Sequence, residues 1–192
     1  MTVKDIIEKR RSFRSLEPFE VTDEIIKEIA EAAKLAPSCY NKQPWRFVFV
    51  RNKGILEQCF NALKKGNEWC RKASLLIAVY THKNLDCIIK SRKYANFDTG
   101  MATAFMILRA TEMGLVMHPI AGFKKNKTKE ILKIPDKMKL ITILVVGKKA
   151  DEIDPDLNEK QQFLEEERAP RLEIDQFVSI DRCSIIDDLK KE

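Results

Sequence analysis

Glycine is scarce in this chain. The six glycines among 192 residues stand at 54, 66, 100, 114, 122 and 147, a spacing that forms neither G-x-G-x-x-G nor G-x-x-x-x-G-K-[ST]. A Rossmann dinucleotide turn and a P-loop are therefore excluded, and a bound phosphate has to be held by side-chain cations and hydroxyls. Histidine is scarcer still, with only His82 and His118. No Cys/His pair has zinc-site spacing and the carboxylates are scattered, so no metal is expected. The five cysteines, at 39, 59, 70, 87 and 183, include no C-x-x-C pair, and their odd number cannot close into a full disulfide set; reduced thiols are expected. No apolar run approaches the roughly 18 residues of a membrane span, and the stretch MTVKDIIEKRRSF lacks the apolar core of a signal peptide. The expectation is a cytoplasmic protein without a membrane partner.

What is present describes an ordinary globular chain, 44% hydrophobic and 33% charged, with enough apolar mass for a core. The net charge of +6 favours anionic ligands, but basic residues are not interleaved with aromatics, so no nucleic-acid partner is expected.

Without repeats, low-complexity tracts or a Pro/Gly-rich linker, residues 1–192 read as one domain. Three runs, RFVFV (46–50), SLLIAVYT (74–81) and ITILVVG (141–147), are apolar on both faces and read as buried strands. Helices are expected over 3–10, with Ile6 and Ile7 inward; from Thr22 or Asp23 to about Ala36, with Ile25, Ile29, Ala32 and Ala36 on one face and Pro37 as the stop; over 54–65; and over 98–114. The last of these carries apolar groups around most of its circumference. A single sheet cannot cover all of it, so part of its surface is expected to meet a second subunit. The charged segment 150–192 has little periodicity outside FVSI and CSII, and reads either as an arm crossing to a partner or as a loose terminus.

Two stretches concentrate polar chemistry. RRSFR places Arg10, Arg11, Ser12 and Arg14 together just after the first helix. These side chains can clasp an anion, or simply complement the negative end of the helix dipole on a solvated surface. APSCYNKQPW (36–45) is a polar loop between a helix and a buried strand, a common setting for ligand binding; within it Gln43, Pro44 and Trp45 read as structural. Cys39 as a nucleophile with His82 or His118 as its base is a rival that no spacing supports.

RRSFR, the helix TDEIIKEIAEAAKLAPS and NKQPWRFVFV, followed by DTGMATAFMILRATEMGL, PIAGF (119–123) and RAPRLEI (168–174), resemble the FMN-dependent nitroreductase family in order and spacing, over about residues 5–174. The resemblance implies an α+β sandwich, with a mainly antiparallel sheet flanked by helices, assembled as an intertwined homodimer. FMN would lie between the subunits. Arg10, Arg11 and Ser12 would clasp its phosphate, Arg14 would support negative charge at the pyrimidine edge, and Arg168 and Arg171 would complete the clasp. Pro37, Ser38, Cys39 and Asn41 would reach the flavin from the partner chain, and Pro119, Ile120, Ala121 and Gly122 would present backbone to its ring. By the same resemblance, NADH or NADPH delivers hydride to the flavin, and a nitroaromatic, quinone or flavin takes the electrons; a storage or sensor protein with little turnover is the alternative. Departures are the bulkier Cys39 and Tyr40, and a short 82–97 segment where larger members insert helices.

Overall fold

The computed structural model describes residues 1–183. Its elements run α1 (Val3–Lys9), β1 (Leu16–Glu17), α2 (Asp23–Lys34), β2 (Arg46–Val50), α3 (Lys53–Phe60), β3 (Leu75–Thr81), β4 (Ile88–Ile89), β5 (Arg92–Lys93), α4 (Ala95–Glu112), β6 (Leu115–Ile120), α5 (Lys125–Ile131), β7 (Lys139–Lys149) and α6 (Glu159–Glu166). β1, β3 and β6 all pair with β7, and β2 pairs with β3, every pair antiparallel. The expected α+β class and mainly antiparallel sheet are what is found.

The strands are apolar on both faces because both faces are covered. Along β3, Leu76 and Ala78 join one core with α3 residues Leu56, Cys59 and Phe60, while Leu75, Ile77 and Val79 join another with Ile29 and Ala33 of α2 and Ala102, Met106 and Ala110 of α4. β7 alternates in the same way, Ile143 and Val145 on the first side and Leu144 and Val146 on the second. Period-two alternation thus partitions one continuous apolar run between two cores.

Helix starts follow their caps. Thr2 and Asp5 form a capping box on α1, Thr22 accepts the Ile25 N–H on α2, and Asn158 and Gln161 form a second box on α6. Several helix details differ from the sequence expectation. Ile6 is buried but Ile7 is 53% exposed, since neighbouring residues point about 100° apart on a helix and α1 lies on the surface. On α2, Ala33 rather than Ala32 completes the buried i, i+4 pair with Ile29. α3 stops at Phe60 instead of continuing to 65, because the next residues turn to bond the chain after β6: Lys64 N–H donates to Gly122 O (2.8 Å) and Lys124 N–H to Ala62 O (2.7 Å). α4 begins at Ala95, three residues before the expected start.

β6 is a strand that the sequence reading did not assign. Pro119 argues against a central strand, but β6 occupies a sheet edge, where a missing N–H is tolerated. The 82–97 segment forms the small β4–β5 hairpin. Of the charged tail, residues through Arg168 fold back on their own chain by way of α6. FVSI lies in an exposed stretch, and CSII beyond Cys183 lies outside the described residues.

Candidate functional site

The strip after α1 is held by a carboxylate rather than by a ladder of backbone bonds. Glu165, buried on α6, accepts the Arg14 N–H (2.8 Å) and the Ser15 N–H (3.0 Å). Ser15 Oγ then accepts the Asp154 N–H at 3.0 Å, so the segment leading into α6 and the arginine strip fix each other.

Two arginines complete this mutual brace. Arg11 donates from Nη1 to Glu166 O (3.1 Å) and from Nη2 to Leu164 O (2.8 Å), with its guanidinium 4.7 Å from the Phe13 ring centre. A cation thereby sits on the negative end of α6. Arg168 does the same for α1, donating from Nη2 to Glu8 O and to Arg10 O, the latter at 3.1 Å.

Between these braces lies a cleft of about 140 Å³ lined by Arg10, Arg11, Ser12, Arg14, Arg168 and Arg171, with Glu167 the one carboxylate on its wall. Arg10 donates to Ser12 Oγ at 3.0 Å. Burial lowers its pKa, and the positive charges of Arg168, Arg171 and Arg11 lower it further. Arginine keeps its proton in proteins, so Arg10 remains a charged group that is partly desolvated and has like charges around it, both of which an anion in the cleft would offset. Among the described residues, Arg171 donates to the carbonyls of Ala169 and Pro170 alone, and no hydrogen bond ties the Arg14 guanidinium.

Behind Arg14, whose guanidinium carbon is 6.0 Å from the Trp69 ring centre, Trp69 packs on His118 with ring centres 4.7 Å apart. His118 Nδ1 lies 3.1 Å from Phe13 O. A carbonyl can only accept, so Nδ1 carries the proton. Burial pushes the His118 pKa down to about 4, with the Phe13 bond opposing and Arg14 reinforcing that shift. So low a pKa makes the ring a poor proton acceptor, its Nδ1 is committed to Phe13 O and its face to Trp69, and among the described residues no hydrogen bond joins it to Cys39.

The remaining predicted residues lie apart from the cleft within one chain. In the loop after α2, Pro37 and Asn41 are exposed, Ser38 Oγ accepts the Gln43 N–H at 3.0 Å, and Asn41 Oδ1 accepts from Gln43 Nε2 at 3.1 Å. The turn is tight, with φ of 48° at Tyr40, 54° at Asn41 and 49° at Gln43. Pro44 O accepts the Thr81 hydroxyl and Trp45 is in the core, in keeping with a structural part for the Gln43–Trp45 triplet. The Cys39 N–H donates to Asp98 Oδ2 on α4 at 2.7 Å. Cys87, on the segment before β4, donates from Sγ to Cys39 O at 3.4 Å. The adjacent Cys39 side chain and partial burial push its thiol up to about 11. Burial likewise raises the pKa of Asp86, with Asp98 adding to it.

Pro119 and Ala121 are exposed at the end of β6, and Ile120 packs into the core. Gly122 is a close-approach glycine, and the neighbour it makes room for within the chain is Asn67: a Cβ at 122 would collide with Asn67 Nδ2 and lie 3.1 Å from its Cγ. The sequence reading missed Glu165 and Trp69. Only the capping pair Asn158/Gln161 hinted at the helix that delivers Glu165, and nothing local marks Trp69 as a neighbour of Arg14.

Fold and cleft together define a two-faced antiparallel α+β sandwich with an arginine-lined cleft between the end of its first helix and its last. The Nitroreductase family model matches residues 7–148, and the chain belongs to that family of oxidoreductases. An Archaeoglobus fulgidus protein whose name couples NADH dehydrogenase with NAD(P)H nitroreductase is 29% identical over 157 residues, covering 78% of this chain and 86% of that protein. The oxygen-insensitive NADPH nitroreductase of Helicobacter acinonychis is 33% identical over a shorter span, 44% of this chain and 41% of its own length. Among solved structures, one described as an oxidoreductase containing FMN superposes with a TM-score of 0.81 at 25% identity, covering 95% of this chain and 93% of that one.

Proposed function

We propose that the protein is an FMN-dependent oxidoreductase that takes hydride from NADH or NADPH and delivers two electrons to a small oxidised acceptor such as a nitroaromatic, a quinone or a flavin. The observation that carries this reading is the cleft lined together by Arg10, Arg11, Arg14, Arg168 and Arg171, with the Ser12 hydroxyl bonded to Arg10 and one carboxylate on the wall. A phosphomonoester dianion fits that donor set, since guanidinium forks match phosphate oxygens and Ser12 can add a hydroxyl donor. FMN bound there supplies the exchange of hydride and electrons between nicotinamide and acceptor.

The chain's own residues bind, orient and polarise. Arg10, Arg171 and Ser12 hold the phosphate, while Arg11 and Arg168, tied to helix-end carbonyls, keep the walls of the cleft in place. Arg14 puts a fixed cation on the Trp69 side, where it stabilises negative charge developing beyond the phosphate. The chain from Pro119 through Ile120, Ala121 and Gly122, exposed at Pro119 and Ala121 and anchored by Ile120 in the core, would offer backbone to the ring.

A homodimer completes the site in this proposal. Phe97 and Phe105 of α4 are 66% and 40% exposed, and with Met101 and Leu108 between and after them they form one apolar stripe on α4 at i, i+4 and i+3 spacing. Pairing that stripe with its copy would bring Pro37, Ser38, Cys39 and Asn41 toward the other subunit's flavin.

Comparing FMN with riboflavin in titrations of flavin-free protein tests the assignment. FMN is expected to bind at least tenfold more tightly, with the difference shrinking as salt rises, and NADH or NADPH is expected to bleach the bound flavin anaerobically until an acceptor restores its colour. Equal affinity for the two flavins would remove the phosphate site, and a flavin that neither nucleotide bleaches would leave only a binding protein.

A further inference from the structure

We propose that Cys39, Asp86 and Cys87 form a binding site for a thiophilic divalent cation of the zinc class, on the face of the molecule where the loop after α2 meets the hairpin segment. One ligand atom from each residue lies within 4.8 Å of the others, close enough for small rotamer changes to draw two sulfurs and one oxygen around a common centre. The sequence hides this grouping, because 47 positions separate Cys39 from Asp86, and no motif spacing relates a tight turn to a hairpin.

Asp86 is the observation that points to a ligand. It is 8% exposed, its Oδ1 accepts the Cys87 N–H at 2.7 Å, and its Oδ2 is buried without a hydrogen-bond partner. An orphaned carboxylate oxygen, on a residue grouped with two thiols, is costly unless a cation or a proton satisfies it. Surrounding groups already hold the frame: Asp98 Oδ2 fixes the Cys39 N–H at 2.7 Å, and Cys87 Sγ is turned toward Cys39 O at 3.4 Å. Asp98 thus stands to the loop as an outer carboxylate stands to a metal ligand. Two sulfur donors select zinc-like ions over magnesium or calcium, which prefer oxygen alone. Both cysteines are partly exposed in the single chain, which gives the ion an entry path. Binding would release the thiol protons and carry a net charge of −1 from two thiolates, one carboxylate and Zn²⁺. None of this depends on the flavin reading.

The test uses the full-length protein, kept reduced with a phosphine, stripped with a chelator and dialysed against Zn²⁺, with bound zinc measured by atomic emission. About one zinc per chain is expected, together with slowed alkylation of Cys39 and Cys87 seen by mass spectrometry. Cys87→Ser and the near-isosteric Asp86→Asn should each weaken retention at least tenfold, with circular dichroism confirming that both variants are folded. Should the orphan oxygen merely share a proton with Asp98, Asp86→Asn would leave zinc binding unchanged, and the proposal would be overturned. No zinc retained by the reduced wild-type protein would overturn it equally.

Discussion

The side chain of Glu165 accepts the backbone N–H of Arg14 at 2.8 Å and, through its second oxygen, that of Ser15 at 3.0 Å. One buried carboxylate on α6 therefore sets the path of the arginine strip more than 150 positions earlier in the chain. Its removal leaves two amides without partners. Glu165→Ala is expected to cost about 3 kcal/mol, from two charge-assisted bonds of roughly 1.5–3 kcal/mol each and partial replacement by water. Glu165→Gln should cost less, since its carbonyl oxygen still accepts one amide. Urea denaturation of the two variants checks the order, and equal stability of Ala and wild type would sink it.

The arginines of the cleft divide into anion-facing and wall-holding groups. Arg10→Ala and Arg171→Ala should raise the FMN dissociation constant by roughly 10- to 100-fold, the equivalent of one lost charged hydrogen bond, with little change in melting temperature. Arg11→Ala, which frees Leu164 O and Glu166 O, should lower thermal stability as well as affinity. Flavin fluorescence titration beside a thermal melt reads both quantities. If Arg10→Ala retains full affinity while Arg11→Ala alone loses it, the two roles have been assigned the wrong way round.

His118 gives the fold an acid limit. Its pKa falls from 6.5 to about 4 in the folded chain, so between those values the unfolded state binds the additional proton. Stability therefore rises with pH across this window: it is lost as pH drops below about 6.5, and the loss is complete below about 4. The shift corresponds to about 3 kcal/mol. Denaturation measured from pH 7 to pH 4 should show that slope in the wild type and a shallower one in His118→Gln, whose amide can still donate to Phe13 O. Parallel profiles would show that other groups govern acid sensitivity.

The parts of the fold legible in the sequence were those where local pattern and tertiary need agree. β2, β3 and the centre of β7 were visible because strands packed into a sheet between two cores are apolar at nearly every position, and α2 because Thr22 caps a clean apolar stripe. β6 was lost because Pro119 reads as a breaker, and only its place at a sheet edge reverses that. α3 was drawn too long because its end is dictated by bonds to Gly122 and Lys124, which no local window contains. For the site, RRSFR and the two later arginines were legible as charge, and Arg10, Arg11, Ser12, Arg14, Arg168 and Arg171 do come together. Their division of labour was not legible, because it depends on which helix-end carbonyls each guanidinium reaches. Glu165, Trp69 and the Cys39–Asp86–Cys87 group are products of long-range folding.

The α4 stripe predicts the state of assembly. Phe105→Lys places a charge in the middle of the exposed apolar row and, if two copies bury it, leaves that charge without a partner in a dry interface, a cost of several kcal/mol in each subunit. Sedimentation at micromolar concentration should show a dimer for the wild type and monomer for the variant, with FMN affinity falling alongside. A wild-type monomer that binds FMN fully would show that one chain makes the whole site.

Gly122 links the end of β6 to the segment carrying Trp69. Asn67 Nδ2 donates to Gly122 O at 3.3 Å and to Lys64 O at 3.4 Å, and it occupies the space that a Cβ at 122 would need. Gly122→Ala should therefore push Asn67 aside and cost about 1–3 kcal/mol, the range for an overpacked contact. Asn67→Ser, which shortens the side chain, should cost about 1 kcal/mol through the lost bond to Gly122 O. The two changes share one contact, so the double variant should be less destabilised than the sum, with a coupling above about 0.5 kcal/mol. Urea denaturation of the four proteins measures that coupling. Strict additivity would mean that Gly122 is required for some other neighbour, and the flavin approached by the Ala121–Gly122 peptide would then be the first to test, by repeating the cycle with FMN bound.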